Sequence, residues 1–196
     1  MTVYAQDHRG HGRNVEKKSQ RGIARMADLE RDMVTMIDFA AKETGLPVIQ
    51  FGHSLGGLIG LYTTLHSKPP VCAAIITSPW LKLVNAPPQA AFKAIGALSG
   101  VLSPFSINNG IPSTALCHDP AVCAAYDVDP QNHGRIGLAL AADANRAANW
   151  VLAHPEELKV PLLLCHGEQD PICSVEGSRE FAEKAKGVRF VEFEGA

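Results

Sequence analysis

The sequence predicts an α/β fold: a mostly parallel, doubly wound sheet interrupted by an inserted helical segment. Three observations carry this reading. Continuous apolar runs at 71–77 and 160–165 suit strands buried on both faces, as in a parallel sheet. Segments with helical apolar spacing alternate with such runs. From about Trp80 to Pro155 the rhythm lapses into an Ala-, Pro- and Asn-rich stretch with helical patches and no clear strand.

The elements follow in order. Val3, Tyr4 and Ala5 form a short strand candidate leading into the Gly-rich turn Asp7-His8-Arg9-Gly10-His11-Gly12. Over 24–44, Met26, Leu29, Met33, Met36, Ile37 and Ala40 recur at helical spacing, and Gly45 and Pro47 stop the helix. Residues 48–51 read as a strand ending at Gly52, and 55–66 as a helix broken off by Pro69-Pro70. Beyond the insertion, 176–185 reads as a helix and 188–193 as a strand. The expected organisation is core over 1–79, helical cap over 80–155, and core again over 156–196.

With 196 residues, 46% of them hydrophobic, the chain is long enough for one sizeable core. A chain of this size buries roughly 70% of its unfolded surface. The net charge of −2 shows no basic excess, so nothing points to nucleic acid or anionic lipid as an electrostatic partner. The five scattered cysteines fit reduced thiols in a cytoplasmic protein better than a disulfide framework. The N-terminus lacks the basic and apolar regions of a signal peptide. The most apolar helical stretch, 90–102, contains Lys93, Gly96 and Gly100 and falls short of the ~20 residues that span a bilayer.

Gly52-His53-Ser54-Leu55-Gly56 satisfies G-x-S-x-G where a strand ends and a helix begins. That junction forms a sharp turn that lifts the serine hydroxyl above the sheet. Ser54 is the expected nucleophile, with Gly52 and Gly56 supplying the lack of bulk that its strained backbone needs. Leu55, opening the helix, has an N–H suited to donate to a developing oxyanion. An idle serine in a Gly-rich turn is the bland alternative. His53 adjoins Ser54 in the tight turn; its side chain should leave in another direction, so a packing role is expected.

In serine hydrolases built on this turn the chain order is Ser, Asp/Glu, His. Asp170, just after the run at 160–165, is the chosen acid. Its task is to hold the imidazole tautomer and stabilise the imidazolium. Glu168 is the weaker choice, and a plain loop or N-cap aspartate is the bland reading of Asp170. No histidine follows Asp170; His154 and His166 lie upstream of it.

Together these residues resemble the monoacylglycerol lipase and lysophospholipase branch of the α/β-hydrolases, grouped with serine aminopeptidase-type hydrolases. The resemblance rests on the 7–12 turn, Phe51-Gly52-His53-Ser54-Leu55-Gly56-Gly57, Thr77-Ser78-Pro79, pieces of the cap including His118-Asp119-Pro120 and Asn132-His133-Gly134-Arg135, and the loop from His166 to Asp170. It implies an α/β-hydrolase fold and hydrolysis of a fatty-acyl ester without metal or organic cofactor. The family's His-Gly oxyanion loop and first strands would precede Met1. Its histidine, usually after a Gly-Ala-like turn, and its C-terminal helix would follow Gly195-Ala196. That is the pattern expected of a sequence truncated at both ends. The alternatives are an esterase, thioesterase or aminopeptidase with the same triad, and a catalytically incomplete fragment that binds lipid or a partner.

Other features have simpler readings. Asp7, His8 and His11 lie on one short loop and lack the further ligands a zinc site wants, so no metal is expected. Phe92, Ile95, Leu98 and Leu102 form an apolar stripe that either packs on a core or meets a membrane peripherally to admit a lipid ester. Cys173 occupies a position where some monoacylglycerol lipases carry a cysteine; an inert buried thiol is the plainer reading. No specific protein partner is implied.

Overall fold

The computed structural model describes residues 2–196; Met1, where the first core segment was expected to start, lies outside them. The described chain divides into two compact units that do not follow chain order. The first comprises 2–4, 26–86 and 144–196, the second 5–25 and 87–143.

The first unit is built on four parallel strands in the order β1-β2-β5-β6: β1 (Val48–His53), β2 (Val71–Thr77), β5 (Leu162–Gly167) and β6 (Val188–Phe193). Helix α1 (Met26–Thr44) follows the expected spacing and buries Met26, Leu29 and Ile37. Helix α2 (Leu55–His66) packs on β1, β2 and α1, and α7 (Val175–Lys184) packs on β5 and β6. Leu58, Ile59, Leu61, Leu65, Ile76, Leu162, Leu164 and Phe181 form the centre of this core. Each such side chain stabilises the fold by roughly 1.5–3 kcal/mol on burial.

Helix α2 is buried around most of its circumference, as its largely apolar composition requires. Small residues let it sit this close. A Cβ on Gly57 would stand 3.1 Å from the Pro79 Cα, and one on Gly60 would overlap the Gln50 amide.

Several expectations need correction. Residues 3–5 form no strand. No described strand lies alongside to share a hydrogen-bond ladder, and the Tyr4 ring instead meets Phe39 edge-on at 5.7 Å. The run at 160–165 becomes a strand only from Leu162, because Pro161 has no N–H to donate and serves as an acceptor for Ala74 N–H. Nor are the apolar strands buried equally on both faces. In β5 one face is buried and the other half-buried, and in β2 Ala74 and Ile76 are buried, Ala73, Ile75 and Thr77 are half-buried and Cys72 is exposed.

In the second unit, α3 (Gln89–Ala97) and α4 (Ser99–Leu102) replace the single helical stretch expected there, with a break at Leu98 (φ −97°, ψ 9°). The break splits the apolar stripe: Phe92 is buried whereas Leu98 is exposed. Two strands escaped the sequence reading, β3 (Ser106–Asn108) and β4 (Arg135–Gly137), which pair antiparallel through Ile107 and Ile136. Three residues apiece are too few to show a periodicity. Helix α5 (Pro120–Val128) starts at Asp119, whose carboxylate accepts the Ala121 N–H. Helix α6 (Leu138–Ala153) begins in this unit.

The early Gly-rich turn belongs to the second unit. Gly22 N–H donates to the Gly10 carbonyl, and the Gly22 carbonyl accepts from Gly137 N–H. His133 Nε2–H donates to the Gly10 carbonyl, and the His133 and His11 rings stack 4.8 Å apart. Asp7 accepts the Arg13 N–H, so its carboxylate closes its own turn.

Candidate active site

The side chains of the candidate site all lie in the first unit, where β1 ends and α2 begins. Ser54 sits at that junction with φ 54° and ψ −120°, a region L-residues rarely occupy. Such strain persists only where the surroundings over-determine it. They do so here. Ser54 N–H donates to the Thr77 carbonyl at the end of β2, and the Ser54 carbonyl accepts from both Leu58 and Trp80. A Cβ on Gly52 would overlap the Gly56 carbonyl oxygen, which explains the first glycine of the motif.

The second glycine has a different status from the one expected. A Cβ on Gly56 would meet nothing within 4 Å. The steric demand falls one residue later, on Gly57, where Pro79 and Ile76 press against the helix. Leu55 is the first residue of α2, and the opening N–H groups of a helix have no acceptor within it. His53 does not pack in the core. It is exposed, and its Nδ1 lies 2.8 Å from the Thr77 hydroxyl, turned to the neighbouring strand.

Asp170 follows β5 in a tight loop. Its Oδ1 accepts the N–H groups of Ile172 and Cys173, both at 2.9 Å, which leaves Oδ2 for another donor. The loop reaches Ser54 through Cys173, whose Sγ lies 3.9 Å from Ser54 Oγ. Burial, then the Asp170 charge, pushes the Cys173 thiol up to about 12.

Cys173 also forms an antiparallel bridge with Leu83, in which Val84 N–H donates to Ile172 O and Ser174 N–H to Lys82 O. Those bonds use residues 172 and 174. The peptide groups of Cys173 itself point the other way, its N–H to Asp170 and its carbonyl to His166.

His166 closes this network. It is 1% exposed at the end of β5, with Nε2 2.9 Å from the Cys173 carbonyl and Nδ1 2.7 Å from the Ser178 hydroxyl. In the sequence it stands upstream of Asp170 and opens the loop that carries the family resemblance, with no role of its own. Its place at the end of a buried strand, one turn before Asp170, was the available signal. Glu168, the weaker acid choice, is exposed, and its N–H donates to the Phe193 carbonyl. The Gln169 N–H donates to the Ala196 carbonyl at 2.7 Å, so the segment after β6 is tied to the Asp170 loop.

Among the described residues no group of three or more His, Cys, Asp or Glu side chains is placed to hold a metal ion. No described helix is long and apolar enough to cross a membrane.

The family described as serine aminopeptidase, S33, matches residues 1–196. The monoacylglycerol lipase of Mycolicibacterium smegmatis is 30% identical over 188 residues, covering 94% of this chain and 65% of that protein. The human monoglyceride lipase is 30% identical over 191 residues, covering 95% of this chain and 61% of that protein. The chain thus spans less than two thirds of the length of these relatives. The solved monoacylglycerol lipase of Paleococcus ferrophilus aligns with a TM-score of 0.82 at 30% identity, covering 97% of this chain and 72% of that one.

Proposed function

The chain belongs to the serine aminopeptidase, S33, family and has the α/β-hydrolase fold, and from that premise we propose that it carries the nucleophile and acid of a lipase hydrolysing fatty-acyl esters of the monoacylglycerol type. The observation that carries the proposal is the strained Ser54 at the strand–helix junction, with the Asp170 loop packed on its hydroxyl through Cys173. Similarity to monoacylglycerol lipases supplies the substrate class.

In this scheme Ser54 Oγ attacks the acyl carbonyl and forms a tetrahedral intermediate. The Leu55 N–H stabilises its oxyanion; a donor of this kind is worth roughly 10²–10³ in rate. A histidine following Ala196, beside the acid loop to which Ala196 is tied, takes the serine proton and passes it to the leaving glycerol oxygen. The free Oδ2 of Asp170 orients that histidine. Water then attacks the acyl-enzyme, the histidine takes its proton and returns it to Ser54 Oγ as the acyl C–Oγ bond breaks, and the fatty acid leaves.

Hydrolysis of a monoacylglycerol by the protein extended past Ala196 tests the scheme, with Ser54→Ala and Asp170→Asn each lowering turnover by orders of magnitude. Full activity in Ser54→Ala would overturn it. A second reading, an aminopeptidase or small-ester esterase with the same triad, is favoured by the family's own description. Faster turnover of aminoacyl amides or short p-nitrophenyl esters than of monoacylglycerols would establish it. Rapid labelling of Ser54 by a fluorophosphonate in the 196-residue chain would show that the chain needs no further base, ruling out a non-catalytic role.

The second unit bears on how a lipid substrate would be met. Leu98, Val101, Phe105 and Ile107 are all at least half exposed. Such a surface suits peripheral contact with a lipid interface. Co-sedimentation with phosphatidylcholine vesicles should be lost in Val101→Asp/Phe105→Asp; unchanged binding would remove this part of the proposal.

A further inference from the structure

We propose that His166 is a positioning residue for the acid loop, its Nε2–H gripping the Cys173 carbonyl and so fixing the residue whose N–H holds the Asp170 carboxylate. The inference rests on the reading of Asp170 as the acid, and its test needs no turnover.

The direction of each hydrogen bond fixes the tautomer. A carbonyl can only accept, so Nε2 must carry the proton that reaches Cys173 O at 2.9 Å. In the neutral ring Nδ1 then accepts from the Ser178 hydroxyl at 2.7 Å. Both ring nitrogens thus have a partner, as a side chain so deeply enclosed needs. Asp170 Oδ2 lies 3.6 Å from the same Nε2, beyond hydrogen-bond range, so the ring does not occupy the oxygen the catalytic base would use.

The bridge to residues 82–84 cannot replace this tie. It holds the peptide groups of Ile172 and Ser174, while both peptide groups of Cys173 face away from it. Cys173 is therefore a strut between two side chains. Asp170 grips its N–H, and His166 grips its carbonyl and is itself locked by Ser178 on α7. With the imidazole gone, the Cys173 carbonyl is left buried without its donor. The loop can satisfy it only by moving toward water, taking Cys173 away from Ser54 and Asp170 out of register.

The test is peptide-resolved alkylation of Cys173, with amide hydrogen exchange of α2 as control for general loosening. In His166→Leu the alkylation rate at Cys173 should rise about tenfold or more, the scale set by one lost buried hydrogen bond, while exchange in α2 is unchanged. His166→Gln, which keeps a donor near Nε2, should return the rate to within a few-fold of wild type. Nitrogen NMR of the wild-type ring should show the Nε2–H tautomer, a measurement that stands even if His166→Leu fails to fold. An Nδ1–H tautomer would overturn the proposal. So would wild-type alkylation in His166→Leu, or a parallel rise in α2 exchange. Loss of monoacylglycerol hydrolysis in Asp170→Asn is a separate result, so failure of the positioning role and failure of the hydrolase reading are told apart.

Discussion

Ser54 Oγ and Cys173 Sγ lie 3.9 Å apart, so the thiol borders the hydroxyl proposed as the nucleophile. Nucleophilic reactivity belongs to the thiolate, and burial together with the Asp170 charge pushes this thiol up from 9.0 to about 12. At pH 8 that leaves roughly a thousandfold less thiolate than an ordinary cysteine carries. Cys173 should therefore resist iodoacetamide at pH 8 while the exposed Cys72 reacts. Its labelling should climb about tenfold per pH unit up to pH 11 in a chain that stays folded. Mass spectrometry of the two peptides decides; equal labelling at pH 8 would contradict the buried, anion-flanked thiol.

The two glycines after Leu55 should behave oppositely. Gly56→Ala adds a methyl to open space on the first turn of α2, where alanine is the better helix former by about 0.5–1 kcal/mol. Gly57→Ala drives a methyl to 3.1 Å from Pro79 and should cost about 1–3 kcal/mol. Urea unfolding midpoints separate the two. Equal destabilisation would mean that the G-x-S-x-G pattern, rather than local space, governs this turn.

Much of the first unit could be read from its residues because its signals are local. A strand, a sharp glycine turn and a largely apolar helix announce β1, Ser54 and α2 within twenty residues. The place of Asp170 in the loop after a buried strand was legible from the apolar run before it. The His166–Cys173–Asp170 strut was not, since it depends on which way one residue's peptide groups face. The β3–β4 pair joins segments separated by a long stretch of chain, and neither strand has a period to detect. The Gly56 expectation failed for a related reason. The motif tells where bulk is forbidden on average, while the Pro79 and Ile76 contacts set it at Gly57.

Asp170 has two tasks that substitutions can separate. Asp170→Asn keeps an Oδ1 acceptor for the Ile172 and Cys173 N–H groups and removes the charge; Asp170→Ala leaves both donors without it. The first should change stability by less than about 1 kcal/mol, and the second should cost about 1–3 kcal/mol. Thermal unfolding of both variants checks this. If the two melt together, the carboxylate does not hold the loop, and its place after β5 loses its structural explanation.

The last prediction concerns the far side of the sheet. Strand β1 pairs only with β2 among the described residues, so one of its edges carries no ladder. Its residues Ile49 and Phe51 are 58% and 64% exposed, on the face that α2 does not cover. An apolar, unpaired edge is a template for a second strand, and natural proteins blunt such edges with lysine. The 196-residue chain should therefore self-associate with rising concentration, and Ile49→Lys/Phe51→Lys should suppress this. Because both side chains are already largely in water, the double variant should melt within about 1 kcal/mol of the parent. Sedimentation velocity across a concentration series measures the association. A wild-type chain that stays monomeric throughout would show that this edge is protected, and the apolar face of β1 would then need another explanation.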